Sequence, residues 1–143
     1  MRFRTLILLS LFIVVSCKTY TIPTDSFKEQ FTKTELFETK EVQINNPLTY
    51  GNLSYKANNI TNLVVRDKEG NSLTIPNSPS LEMRVTHKNG KRYIFYFDTV
   101  VLENDTLKAS RSRFIPSLTK SIPMDSIAKI EVQEGGKNFK YKN

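Results

Sequence analysis

The chain of 143 residues carries 21 lysines and arginines against 14 aspartates and glutamates, a formal charge of +7, with one histidine and one cysteine. That length suits one domain with a real core, and a single cysteine excludes a disulfide framework or a multi-thiol metal site. Nine phenylalanines and six tyrosines beside scarce alanine favour strands over helices.

Residues 1–16 read as a secretory signal. Arg2 and Arg4 precede an apolar run from Leu6 to Val15, and Ser16 and Cys17 follow. A run of about ten residues is roughly 15 Å of helix, half of what a bilayer core demands, so the segment is expected to be cleaved. Val14-Val15-Ser16-Cys17 resembles the bacterial lipobox, with Val14 and Ser16 where leucine and glycine or alanine are commoner. The resemblance implies cleavage before Cys17, diacylglycerol on its sulfur and an N-acyl chain, with no other cofactor. The competing reading makes Cys17 an ordinary small hydrophobe in an uncleaved or conventionally cleaved leader. No acidic residue occurs in Lys18-Thr19-Tyr20-Thr21-Ile22-Pro23. By analogy with lipoprotein sorting this points to the periplasmic face of the outer membrane. Removing Arg2 and Arg4, with no acid, lowers the charge from +7 to +5. Residues 17–24 are expected to be the lipidated cysteine and a short tether reaching at most about 25 Å, and residues 25–143 a single β-rich periplasmic domain.

Along that domain, Ser26 and Glu29 have capping-box spacing, with Phe27 and Phe31 on one face, which predicts a helix from Ser26 to about Lys33. Short strands bounded by Asn, Gly or Pro are predicted at 36–44, 53–56, 61–66 and 72–75. Leu81 to Lys88 and Lys91 to Phe97 flank Asn89-Gly90, a dipeptide suited to a two-residue type I′ turn. Both faces of Tyr93-Ile94-Phe95-Tyr96-Phe97 are bulky and apolar, so this strand is expected to be central and buried, at least in part, on both sides. Strands at 100–103 and 106–112 are separated by Asn104-Asp105. Residues 111–121 read as a basic loop, 127–133 as a half-buried strand with Ala128, Ile130 and Val132 inward, and the end as a Lys-rich tail. Val65, Lys68, Gly70, Leu73 and Ile75 are echoed twenty residues on by Val85, Lys88, Gly90, Tyr93 and Phe95. Two stacked hairpins or the general likeness of hairpins would each produce that echo. The expected fold is mainly β: a single compact antiparallel roll, small barrel or sandwich with one short N-terminal helix.

From Leu81 to Gln133 the strand order resembles that of small Sm-like barrels, without their diagnostic glycines. Most of the mature chain is also similar to small lipoproteins of Flavobacterium-like Bacteroidota, through the lipobox, Phe27-Lys28-Glu29-Gln30, Asn77-Ser78-Pro79-Ser80, the run from Tyr93 to Val100, and Ile130-Glu131-Val132-Gln133. This resemblance implies location and fold and transfers no site.

No reaction is written into the residues. His87 stands without metal-ligand spacing, no G-x-S-x-G elbow or phosphate loop occurs, and Asp98 and Asp105 are the conceivable carboxylate pair. Four of five aspartates precede Ser or Thr. Asp98-Thr99-Val100, Asp105-Thr106-Leu107 and Asp125-Ser126-Ile127 resemble the O-glycosylation acceptor of Bacteroidota envelopes, which would place sugars on Thr106, Ser126 or Thr99; ordinary turn chemistry gives the same pairs. Arg111, Arg113 and Lys120, with Tyr93 and Tyr96, form a candidate partner face. Basic residues spread along strands without a stacking platform argue against nucleic acid. The expectation is a non-enzymatic envelope lipoprotein, membrane-attached through its lipid and binding a protein or glycan; the alternative is a small periplasmic hydrolase.

Overall fold

A computed structural model describes residues 18–33, 39–47 and 49–142. The signal segment and Cys17 lie outside the described residues, as does most of the predicted strand start at 36–39. Among the described residues the order is β1 (Thr19–Ile22), α1 (Thr24–Lys33), β2 (Lys40–Asn45), β3 (Asn52–Ala57), β4 (Asn62–Arg66), β5 (Ser72–Pro76), β6 (Leu81–His87), β7 (Arg92–Tyr96), β8 (Val101–Glu103), β9 (Thr106–Ser110), β10 (Thr119–Pro123), β11 (Ile127–Glu134) and β12 (Tyr141–Lys142). Three antiparallel sheets result, ordered β5-β4-β1-β11-β6-β7, β10-β9-β8 and β12-β2-β3. The fold is mainly β with one short N-terminal helix, and the sheets do not close into a barrel.

The core follows strand alternation. Leu81, Met83 and Val85 of β6 face inward between Glu82 and Arg84, and Leu63 and Val65 of β4 do the same. Phe27 and Phe31 of α1 pack with ring centroids 4.6 Å apart and planes tilted by 36°, and cap this core against Phe97. The helix begins two residues before the expected cap: Phe27 N–H donates to Pro23 O at 2.8 Å, leaving Ser26 within the helix, where its Oγ accepts from Gln30. Gln30 does more than pack. β1 pairs with β4 only at Thr21 and Arg66, and the Gln30 carboxamide supplies the next ladder rung, accepting from Val64 N at 2.7 Å and donating to Val64 O at 3.0 Å.

Several expectations are corrected. Thr19–Ile22, expected within the tether, is an interior strand, because Thr-Tyr-Thr-Ile are strong strand formers and Tyr20 and Ile22 join the core. The run at 93–97 lies on an edge strand, not a central one: Phe95 and Phe97 are inward, while on the other face Ile94 is 48% exposed and Tyr96 is half-buried against Arg113. A bulge between Ile127 and Lys129 turns Ile127 inward and Ala128 out to solvent. The basic loop ends at β10, and the expected tail closes with β12, which pairs with β2.

The two echoed segments are indeed equivalent hairpins. Val65 faces Leu73 as Val85 faces Tyr93, and the turn bonds Gly70 N to Asp67 O and Gly90 N to His87 O also correspond. Only the glycines have positive φ, +88° and +83°, so each is a type I turn with a glycine bulge rather than the expected type I′ turn. The type I′ geometry falls instead at Asn104-Asp105, with φ of 47° and 56°.

Candidate binding site

Among the described residues one charged pair is entirely out of water. Asp98 lies in the 3-10 turn Phe97–Thr99 after β7, and Arg113 in the loop joining β9 to β10; their side chains are 0% and 1% exposed. Arg113 Nη2 donates to Asp98 Oδ1 at 2.8 Å and also to Pro79 O. Asp98 Oδ2 accepts from the Tyr55 and Tyr141 hydroxyls, the latter at 3.0 Å. The guanidinium stacks on Tyr96, with Cζ 3.8 Å from the ring centroid, and Tyr55 and Phe139 stand at 5.1 and 5.2 Å. Arg113 Nε and Nη1 have no hydrogen-bond acceptor among the described residues, so the aromatic box is the main compensation on that side of the cation. Burial, and then the Asp98 charge, push both phenols well above the ordinary tyrosine range, which keeps Tyr55 and Tyr141 neutral donors.

Three elements hold this cluster. Asn58 fixes the 3-10 turn: its N–H donates to Asp98 O at 2.7 Å and its Nδ2 to Phe97 O and Val100 O. The C-terminal segment supplies Phe139 and Tyr141 and is tied down by Ser80, whose Oγ bonds Lys137 O and Phe139 O, and by Asn45, which exchanges bonds with Asn138 and Lys140. It starts at Gly135, where an added Cβ would come within 2.8 Å of Ser80 O. Lys137 then bridges Glu82, at 3.1 Å, and the Tyr96 hydroxyl, at 2.9 Å.

Beside the cluster, between β3 and the β8–β9 sheet, lies a cleft of about 480 Å³. Tyr55 and Arg113 form part of its wall, Lys56 and Lys108 bring two ammonium groups, and Ser54 and Ser112 contribute hydroxyls. Lys108 is paired with Glu103. The volume lies within the range of small-ligand sites.

The sequence-derived candidates separate in space. Of the expected partner face, Arg113 is buried and so cannot present a face, whereas Arg111 and Lys120 are exposed; Lys120 Nζ sits 5.4 Å from the Tyr93 ring. Of the expected glycan acceptors, Thr99 spends its hydroxyl internally, donating to Tyr96 O at 2.8 Å and accepting from Ser110 N at 3.1 Å. Thr106 and Ser126 are half-buried and lie together, since Met124 N donates to Asp105 O at 2.8 Å. Asp98 and Asp105 do not form a pair: the first is locked to Arg113, the second is exposed and bound to Lys28 at 2.8 Å. His87 accepts from Asn89 N at 3.2 Å. Among the described residues no group of three His, Cys, Asp or Glu could hold a metal ion, and no helix is long and apolar enough to cross a membrane. Sequence reading missed Tyr55, Phe139 and Tyr141. The alternation of Phe139 and Tyr141 with lysines was the available signal, since period-two aromatics mark a strand.

Comparison with known proteins finds no matching family model, no matching curated protein and no matching solved structure.

Proposed function

We propose that this chain is a lipid-anchored, non-enzymatic binding module of a bacterial cell envelope, held by acyl chains on Cys17 at the periplasmic face of the outer membrane, and that its cleft takes an acidic glycan. The observation that carries the reading is the cleft itself: about 480 Å³, lined by Ser54, Tyr55, Lys56, Ser112 and Lys108, the last paired with Glu103. Hydroxyl and ammonium donors beside an aromatic edge suit uronate-bearing sugars, and the Arg113 cluster behind them keeps that wall preformed, which lowers the ordering cost of binding. Binding is favoured over hydrolysis because Asp98, the one buried carboxylate among the described residues, has both oxygens engaged by Arg113, Tyr55 and Tyr141.

Full-length protein applied to an array of uronate-bearing and neutral oligosaccharides is expected to retain the acidic set. Lys56→Glu should weaken retention about tenfold or more, a change of roughly 1.4 kcal/mol, while Lys88→Glu at the β6–β7 turn leaves it intact. Equal retention of neutral sugars, or indifference to Lys56→Glu, would overturn the cleft assignment. Metabolic labelling with an alkyne fatty acid tests the anchor separately: label should enter the wild type and be absent from Cys17→Ser.

A further inference from the structure

Lys18 is the only residue between Cys17 and β1, and β1 is an interior strand of the six-stranded sheet. Two residues of chain span at most about 7 Å. On the reading that Cys17 carries the lipid, the end of the sheet where β1 begins therefore rests on the membrane. The register shows what else is at that end. Thr19 faces Gln133, Gln133 faces Glu82, and Glu82 faces Tyr96, a single row across β1, β11, β6 and β7. Three strand spacings put Tyr96 roughly 14 Å from the start of β1.

The loop between β9 and β10 leaves the fold beside that row. Arg111 lines a shallow depression with Glu82, Tyr96 and Lys137, and Thr99 bonds Ser110, the last residue of β9. Three large apolar side chains of this loop lie open to solvent: Phe114 at 48%, Ile115 at 49% and Leu118 at 43% exposure. The loop is nonetheless built. Phe114 N donates to Ser112 Oγ at 3.1 Å, Leu118 N to Ile115 O at 3.1 Å and Arg111 N to Leu118 O at 3.3 Å. Its base is bolted down by the buried Arg113. Exposed Arg111 lies on the loop and exposed Lys18 at the start of the row, and cationic side chains near a membrane surface are drawn to anionic headgroups.

We infer that the 111–118 loop is a second membrane contact, with Phe114, Ile115 and Leu118 entering the headgroup and upper acyl region of the bilayer that holds the lipid anchor. The inference rests on the Cys17 reading. It explains an apolar cluster on a loop whose backbone is ordered by hydrogen bonds, at the end of the molecule that the anchor draws to the membrane. Two attachments of this kind also fix orientation, since a single acylated terminus leaves the domain free to rotate.

The chain contains no tryptophan, so Phe114→Trp introduces a unique fluorophore at an exposed position. Lipidated full-length protein would be reconstituted into vesicles of zwitterionic and anionic phospholipid containing brominated acyl chains. Co-flotation is expected for this variant and loss of flotation for Cys17→Ser. Emission of the Phe114→Trp variant should shift to the blue and be quenched several-fold more than that of Lys91→Trp, at the opposite end of β6 and β7. Phe114→Ser combined with Ile115→Ser and Leu118→Ser should release the loop from the bilayer, read as increased trypsin cleavage after the exposed Arg111. Flotation without quenching overturns the loop contact alone, and a blue shift without quenching overturns it in favour of a protein cover. Failure of the wild type to float removes the anchor and the loop contact together.

Discussion

Breaking the Arg113–Asp98 pair from one side should be far more damaging than replacing it whole. Arg113→Met leaves Asp98, 0% exposed, with its charge opposed only by two tyrosine hydroxyls; Asp98→Leu leaves a guanidinium 1% exposed with no carboxylate. Removing one partner of a buried pair costs about 3–5 kcal/mol, a large share of the roughly 5–15 kcal/mol of a domain this size. In the Asp98→Leu, Arg113→Met double variant neither charge remains, and the residual cost is that of the orphaned Tyr55 and Tyr141 hydroxyls, about 1–3 kcal/mol each when they find no water. Adding Tyr55→Phe and Tyr141→Phe should then recover stability. Equilibrium urea unfolding followed by circular dichroism measures all five states, and the cycle is expected to show a favourable coupling of at least about 2 kcal/mol between positions 98 and 113. Single variants within about 1 kcal/mol of wild type, or singles that simply add in the double, would refute the view that the cluster is a single charge-compensated unit.

Alkaline stability follows from the same cluster. Burial and Asp98 raise the Tyr55 and Tyr141 pKa in the folded state, so above about pH 10, the ordinary tyrosine value, the unfolded chain has lost protons the folded chain retains. Stability is fully present below that pH and falls above it, with a slope approaching two protons. Tyr141→Phe should halve the slope in pH-dependent urea titrations, and an unchanged slope would contradict the assignment. For the acceptor motifs, intact-glycopeptide mass spectrometry of native protein is expected to find hexose on Thr106 or Ser126 and none on Thr99, whose hydroxyl is committed to Tyr96 O and Ser110 N. A glycan on Thr99 would rule out the packing described for the 97–99 turn.

Legible in the sequence is whatever repeats at period two or is forced by a turn. Leu81, Met83 and Val85, the Phe27 and Phe31 pair, and the breaks at Gly70, Gly90 and Asn104-Asp105 could be read because each signal is local. Arg113 could not. A charge in a loop, here between Ser112 and Phe114, is ordinarily solvated, and its burial depends on Asp98, Tyr55 and Tyr96 arriving from three other elements and on Phe139 and Tyr141 returning late in the sequence. The 19–22 strand was hidden by its neighbour: beside Cys17 it reads as tether, though its composition is that of a strand. The bulge at Ile127 shifted the inward face by one residue, which periodicity alone does not reveal.

The cost of burying an arginine and an aspartate has to be set against what the pair positions. Similar volume filled with apolar side chains would often be as stable, so core stability is a weak reason for this pair. A better reason lies in where its ligands originate. Arg113 is at the base of the 111–118 loop, Asp98 at the end of β7, Tyr55 on β3 and Tyr141 on β12. One set of directional bonds therefore joins all three sheets and fixes the loop relative to both the cleft and the row that begins at Thr19. Apolar contacts would hold these parts together but would specify their relative geometry less sharply, because they lack direction. If the loop meets the bilayer and the cleft takes a ligand, they must keep a fixed geometry on a domain whose first strand begins two residues after Cys17. The Arg113→Met variant tests this coupling in the vesicle assay: loss of the loop's orientation with the anchor and the overall fold retained would separate positioning from stability.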